Sequence, residues 1–196
     1  MISTGIGILA TGGGSNAEAL VHYFDGHQAI HVAGVWSNKP NAGVLNRGLD
    51  VPCAPMTHGD PEMVDTWKST GVTALVLAGY LKPIPDEWID AFDGRVYNIH
   101  PALLPNYGGK GMYGMNIHRA VVAAGESESG LTIHEVTTHY DEGPVLFQMR
   151  TRIDELSADE VAAKILKGEH WAFPRVIEAA LMKREMPSKL PEGWLK

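Results

Sequence analysis

Two residues near the middle of the chain, Asn98 and His100, stand two apart in the run Val96-Tyr97-Asn98-Ile99-His100-Pro101. In an extended backbone successive side chains alternate, so an amide and an imidazole at this spacing project from one face. Aimed at one oxygen, the pair suits acyl transfer, in which a tetrahedral oxyanion develops and preorganised donors are worth a few kcal/mol each. Such an imidazole needs a carboxylate to hold it in its working state. Asp141, in the turn Tyr140-Asp141-Glu142-Gly143-Pro144, is the best candidate, although turns also use aspartate for purely structural reasons. No nucleophile accompanies the trio: Cys53 is far away in sequence, and there is no Gly-x-Ser-x-Gly elbow. Direct attack by an amine substrate requires none.

A second constellation lies near the N-terminus. Thr11-Gly12-Gly13-Gly14-Ser15-Asn16 follows an apolar run and opens a helical pattern, where unpaired N–H groups and the helix dipole favour an anion. Glycines let the backbone approach a phosphate closely, and Ser15 and Asn16 can add donors or cap the helix. Gly12, Gly14 and Ala17 also fit a loose dinucleotide fingerprint. That fingerprint wants an acid about 20 residues on, where this chain offers Ser37-Asn38-Lys39. A small phosphorylated ligand is favoured over a dinucleotide. His134 and His139 superficially suggest a metal motif, but they are five apart, not four, and no third ligand is placed by a recognisable spacing. No metal is expected.

The elements that must position these residues are legible as alternating patterns. Apolar, β-branched runs over 5–10, 29–36, 73–78 and 96–99 predict buried strands. Helical spacing occurs between them over 17–24, 61–69 and 85–92, and this alternation predicts an α/β fold: a Rossmann-like, mostly parallel sheet flanked by helices. A further helix is predicted over 116–124. Strands over 131–137 and 145–152, joined by a short turn, predict an antiparallel strand near the C-terminal end. Ser157-Ala158-Asp159-Glu160 is a capping box opening the last helix, which Pro174 should kink or interrupt. Residues 1–186 are expected to form a single domain and 187–196 a loose tail.

Composition narrows the class. Apolar residues make up 44% and charged residues 20% of 196, as in an ordinary folded chain. A formal net charge of -7 argues against nucleic acid as a partner, since such affinity rests on Lys and Arg. One cysteine fits a reducing compartment. No export signal or run of about 20 apolar residues is found, so no membrane association and a cytoplasmic location are expected.

Taken in order, Gly12-Gly13-Gly14-Ser15-Asn16, Ser37-Asn38, Leu77-Ala78-Gly79-Tyr80, Asn98-Ile99-His100-Pro101-Ala102-Leu103-Leu104-Pro105 and Asp141-Glu142-Gly143-Pro144-Val145 resemble the folate-dependent formyltransferases, specifically the glycinamide ribonucleotide formyltransferase family, over nearly the whole chain. The resemblance implies the formyltransferase fold. It also implies an enzyme of purine biosynthesis that moves a formyl group from 10-formyltetrahydrofolate to the amine of glycinamide ribonucleotide, as a monomer or homodimer. By this likeness Asn98, His100 and Asp141 are the catalytic trio. Gly13, Gly14, Ser15 and Asn16 cradle the substrate phosphate, Glu169 and Pro101 contact the nucleotide, and Leu81, Lys82, Ile84, Thr138, His139 and Tyr140 line the folate pocket. The chain departs from the family at Lys82, where arginine is common, at Met63-Val64-Asp65, which lacks an arginine often found there, and at the long loop Gly108–Gly114, read as a variant surface loop.

Overall fold

The computed structural model describes residues 3–196, so the first two positions of the span 1–186 lie outside it. The elements in chain order are β1 (Thr4–Leu9), α1 (Ser15–Phe24), β2 (Ile30–Ser37), a 3-10 turn (Gly43–Asn46), β3 (Cys53–Pro55), α2 (Glu62–Ser69), β4 (Val72–Leu77), α3 (Asp86–Ala91), β5 (Val96–His100), α4 (Met115–Ala123), β6 (Glu128–Glu135), β7 (Val145–Arg152) and α5 (Ala158–Met182). Among the described residues seven strands form a sheet in the order β3-β2-β1-β4-β5-β6-β7. The pairs β1–β2, β1–β4, β2–β3 and β4–β5 are parallel, and β6–β7 is antiparallel. This is the mostly parallel α/β sheet with an antiparallel C-terminal strand that the alternation predicts. The short strand β3 lies in the apolar stretch 51–56, where Pro52 and Pro55 read against a strand. No described helix is long and apolar enough to cross a membrane.

The chain forms two compact units, one of residues up to 98 together with 135–138, the other of 99–134 and 139–196. In the first, the order of strands reverses at β1: the chain runs outward through β2 and β3, then returns to place β4 on the opposite side of β1. In open α/β sheets such a reversal leaves a crevice beyond the carboxyl ends of the two strands, where ligands bind. Trp67 of α2, fully buried, meets Trp88 of α3 edge-on at 4.7 Å between ring centroids and Trp36 of β2 at 6.1 Å. Edge-to-face aromatic packing of this kind adds about 0.5–1.5 kcal/mol per pair beyond area burial and fastens both helices to the sheet. Met63, where the family often has arginine, belongs to this core.

In the second unit α5 opens with the expected capping box: Ser157 Oγ accepts from the Glu160 amide, and the Glu160 carboxylate accepts from the Ser157 amide. The expected break at Pro174 does not occur; α5 runs unbroken for 25 residues. Ala172, Phe173, Val176 and Ile177 around the proline are wholly buried. Burial of that face outweighs the roughly 3 kcal/mol that an interior proline costs. The last ten residues, which show no periodicity, are held as well. Arg150 and Leu195 exchange backbone hydrogen bonds of 2.8 Å, and Thr151 donates to the Gly193 carbonyl. On α4, Ile117, His118 and Val121 face inward. His118 Nδ1 is buried with no hydrogen-bond partner among the described residues, and burial, followed by the nearby His100, pushes the imidazole below its ordinary value.

Replacing Trp67 by alanine is expected to lower unfolding free energy by about 3–5 kcal/mol, the usual cost of such a cavity, read from urea midpoints. The His118 shift has a defined sign. Between its folded value and about 6.5, the unfolded chain binds the proton and the folded chain does not. Stability is therefore full above about 6.5 and is lost as pH falls below it, by at most about 1.4 kcal/mol per pH unit for one proton. His118→Gln should flatten the fall in urea midpoint between roughly pH 7 and pH 5.5; an unchanged slope would assign it to other groups.

Candidate active site

In the first unit, one buried hydroxyl ties three strand ends together. Thr11, just past β1, donates through Oγ1 to Asn38 Oδ1 at 2.8 Å after β2 and accepts from the Leu81 amide at 3.1 Å after β4. Its own amide donates to the Gly79 carbonyl. These bonds fix the glycine turn and the segment Gly79–Ile84 on either side of the β1/β4 reversal. Asn38 stands inside a motif that carries the resemblance and Thr11 directly precedes another, yet no spacing rule gives them this role.

The glycine turn is braced from one side. Arg47 donates to the Gly13 carbonyl at 2.7 Å and to Glu18 at 2.8 Å, and the Val44 amide donates to the Gly12 carbonyl. Gly14 is the N-cap of α1, with φ +77°. A β-carbon there would strike the Val44 side chain, so only glycine fits. The N-cap glycine makes no side-chain cap hydrogen bond. The first-turn amides from Ser15 onward have no intrahelical carbonyl to bind, the arrangement that receives anions.

The segment after β4 divides by exposure. Leu81 is 41% exposed and Lys82 is open, whereas Ile84 is packed in the core with Tyr80. The Tyr80 hydroxyl lies 2.9 Å from His58 Nδ1, and burial holds the phenol well above its usual range. Burial, then Lys82, pushes the His58 imidazole down. Thr138, also expected in the folate wall, is exposed in this unit.

In the second unit, the structure brings His100 and Asp141 together. Both side chains are about 95% withdrawn from solvent, and His100 Nδ1 lies 3.7 Å from Asp141 Oδ2. His100 Nε2 donates to the Tyr107 carbonyl at 2.8 Å. A carbonyl can only accept, so Nε2 carries a hydrogen and Nδ1 is the nitrogen turned to the carboxylate. The carboxylate has two more neighbours: the Gly109 amide donates to Oδ2 at 2.9 Å, and His134 Nε2 stands 3.7 Å from Oδ1. In the sequence His134 stands out only through a superficial metal motif. Here it flanks the carboxylate, at a register shift of β6 against β7 between Ile133 and His134, the kind of bulge that re-aims a side chain. Nor does Gly108–Gly114 behave wholly as a variant surface loop. A β-carbon on Gly108 would come within 2.7 Å of Leu104 and 3.4 Å of Asp141, so the loop's first residues pack against the dyad.

Two residues before His134, Thr132 is wholly buried. It donates to the Ala102 carbonyl at 2.7 Å and accepts from the Leu104 amide and Gln148. The segment leaving β5 is thereby pinned, with half-buried Pro101 at its start. Asn98, two residues before His100 on β5, is partly exposed. Of the other expected ligand contacts, His139 and Tyr140 are exposed, and Glu169 is buried on α5.

Residues 5–177 match the family model described as formyl transferase. A chloroplastic phosphoribosylglycinamide formyltransferase of Vigna unguiculata is 38% identical over 91% of this chain and 61% of its own length. The chain thus spans about three fifths of that relative. The phosphoribosylglycinamide formyltransferase of Escherichia coli strain K12 is 30% identical over 87% of this chain and 84% of its own. Among solved structures, glycinamide ribonucleotide transformylase 1 from Symbiobacterium toebii superposes with a TM-score of 0.83 at 26% identity, covering 96% of this chain and 92% of that one. With a sheet of this order, a buried histidine–aspartate pair and these likenesses, the chain belongs to the formyl transferase family, alongside its phosphoribosylglycinamide formyltransferases.

Proposed function

We propose that this chain transfers a formyl group from 10-formyltetrahydrofolate to the amine of glycinamide ribonucleotide, a step of purine biosynthesis, without a metal and in the cytoplasm. The observation that carries the reading is the buried Asp141 carboxylate facing His100 Nδ1 at 3.7 Å, on the strand that also presents Asn98. The names of the relatives support the choice of acceptor.

In this reading the Asn98 amide donates to the oxyanion that forms when the amine attacks the formyl carbon. His100 works differently from a free donor, because Nε2 is already engaged by Tyr107 and Nδ1 faces Asp141. Its ring supplies positive charge close to the developing oxyanion, and Asp141 stabilises that charge and helps pass the amine's proton to solvent. A charge held in a dry, fixed setting acts more strongly than the same charge in water. Collapse of the intermediate breaks the bond between the formyl carbon and the folate nitrogen, which takes up a proton from solvent, and tetrahydrofolate and the formylated nucleotide are released.

The remaining residues bind. Gly13, Gly14, Ser15 and Asn16 offer the substrate phosphate the first turn of α1, which opens behind a glycine N-cap. That gives an acidic chain a local seat for an anion. Glu169 and Pro101 contact the nucleotide, while Leu81, Lys82, Ile84, Thr138, His139 and Tyr140 line the folate pocket.

The direct test is to mix the protein with 10-formyltetrahydrofolate, or a deaza analogue, and follow deformylation by absorbance with and without glycinamide ribonucleotide. Turnover only with the nucleotide is expected. Turnover without it would make the chain a hydrolase, and no turnover in either would remove the acceptor assignment. Asp141→Asn keeps the side chain's size and removes its charge. It should lower kcat by about a hundredfold or more while KM for either substrate stays within about threefold; equal activity would withdraw the role given to Asp141.

A further inference from the structure

We propose that Tyr107 is a positioning residue for this reaction: Glu126 anchors its hydroxyl, so that its main-chain carbonyl holds His100 while the backbone two residues on holds Asp141. The proposal rests on the roles given above to His100 and Asp141.

Tyr107 has φ +59°. For a bulky aromatic residue this left-handed conformation is disfavoured by about 1 kcal/mol or more, so something must hold it. The hydroxyl supplies the hold by donating to Glu126 Oε1 at 2.7 Å. Packing contributes less, because a small cleft lined by Leu103, Val121, Glu126 and Ser129 runs along the tyrosine. Bonding to the Glu126 carboxylate also pushes the phenol above its ordinary value, which keeps it a donor throughout the neutral range.

Fixing the ring fixes the peptide. The Tyr107 carbonyl accepts from His100 Nε2 at 2.8 Å, and the Gly109 amide donates to Asp141 Oδ2 at 2.9 Å. Gly109 itself needs φ +86°, which glycine alone adopts freely. One short backbone segment thus touches both members of the dyad. It gives the Nε2 hydrogen a fixed acceptor and leaves Nδ1 for the carboxylate. The charged or titratable groups around the ring are Asp141, His118 of α4 and, across the carboxylate, His134 of β6.

Three variants test the arrangement: Tyr107→Phe, which removes only the hydroxyl, Glu126→Ala, which removes its acceptor, and Glu126→Gln, which keeps an acceptor oxygen. Each is followed by kcat, by KM and by nitrogen-15 NMR of the His100 imidazole, assigned through a His100→Asn spectrum. Tyr107→Phe and Glu126→Ala should each lower kcat about threefold to tenfold with KM within about twofold, and the double variant should fall no further than either alone. Both should shift the His100 Nε2–H resonance, and Glu126→Gln should restore rate and resonance together. A His100 resonance that stays in place in Tyr107→Phe overturns the proposal, whatever the rate does. A resonance that moves without a change in kcat also overturns it, because the hold on His100 would then not serve the reaction.

Discussion

A carboxylate taken out of water has to be compensated, and the Asp141 side chain is only 6% exposed. The effective cost of burying such a charge is several kcal/mol unless partners surround it. The second unit is arranged to supply them: an imidazole on each side, the Gly109 amide on one oxygen, and glycine at 108 so that backbone and aspartate can approach. Asp141 itself sits at φ +58°, a conformation aspartate tolerates better than most residues. Much else in this unit follows from that need. The bulge in β6–β7 brings His134 to the carboxylate, and the three bonds of Thr132 fix the chain leaving β5, so that His100 arrives at a defined place.

The anion seat proposed for the first unit has to work in a chain whose net charge is -7. The Arg47 guanidinium beside the glycine turn is engaged by Gly13 and Glu18. The proposed seat is therefore one of backbone amides. Thr11 links the ends of β1, β2 and β4, and Val44 blocks any side chain at Gly14. The first-turn amides of α1 consequently open beside the reversal of strand order, as helix N-termini do in folds of this kind. The aromatic cluster of Trp36, Trp67 and Trp88 keeps the helices against the strands that carry these ends.

The sequence by itself determined the layer pattern, because strand and helix periods are local properties of neighbouring residues. Runs such as 73–78 and 96–99 announced buried strands, and the capping box at Ser157 marked the start of α5. The spacing of Asn98 and His100 placed both on one face of a strand, and the glycines after β1 announced a turn able to bind an anion. The motifs around these residues also carried the family.

Tertiary structure alone decided the rest. Pro174 reads as a break, yet α5 continues through it, since burial of the surrounding residues is a property of the packed unit and not of the helix. His134 and Asp141 are seven residues apart and Tyr107 and His100 seven as well, spacings that correspond to no regular element joining them. Their meeting depends on a bulge, on glycines at 108 and 109, and on a left-handed tyrosine. Hydrogen-bond choice belongs to the same level: which nitrogen of His100 is left to face the carboxylate is set by the Tyr107 carbonyl opposite the other. A sequence can name the groups able to do the chemistry, but their orientation and electrostatic state come from neighbours that only the folded chain brings near.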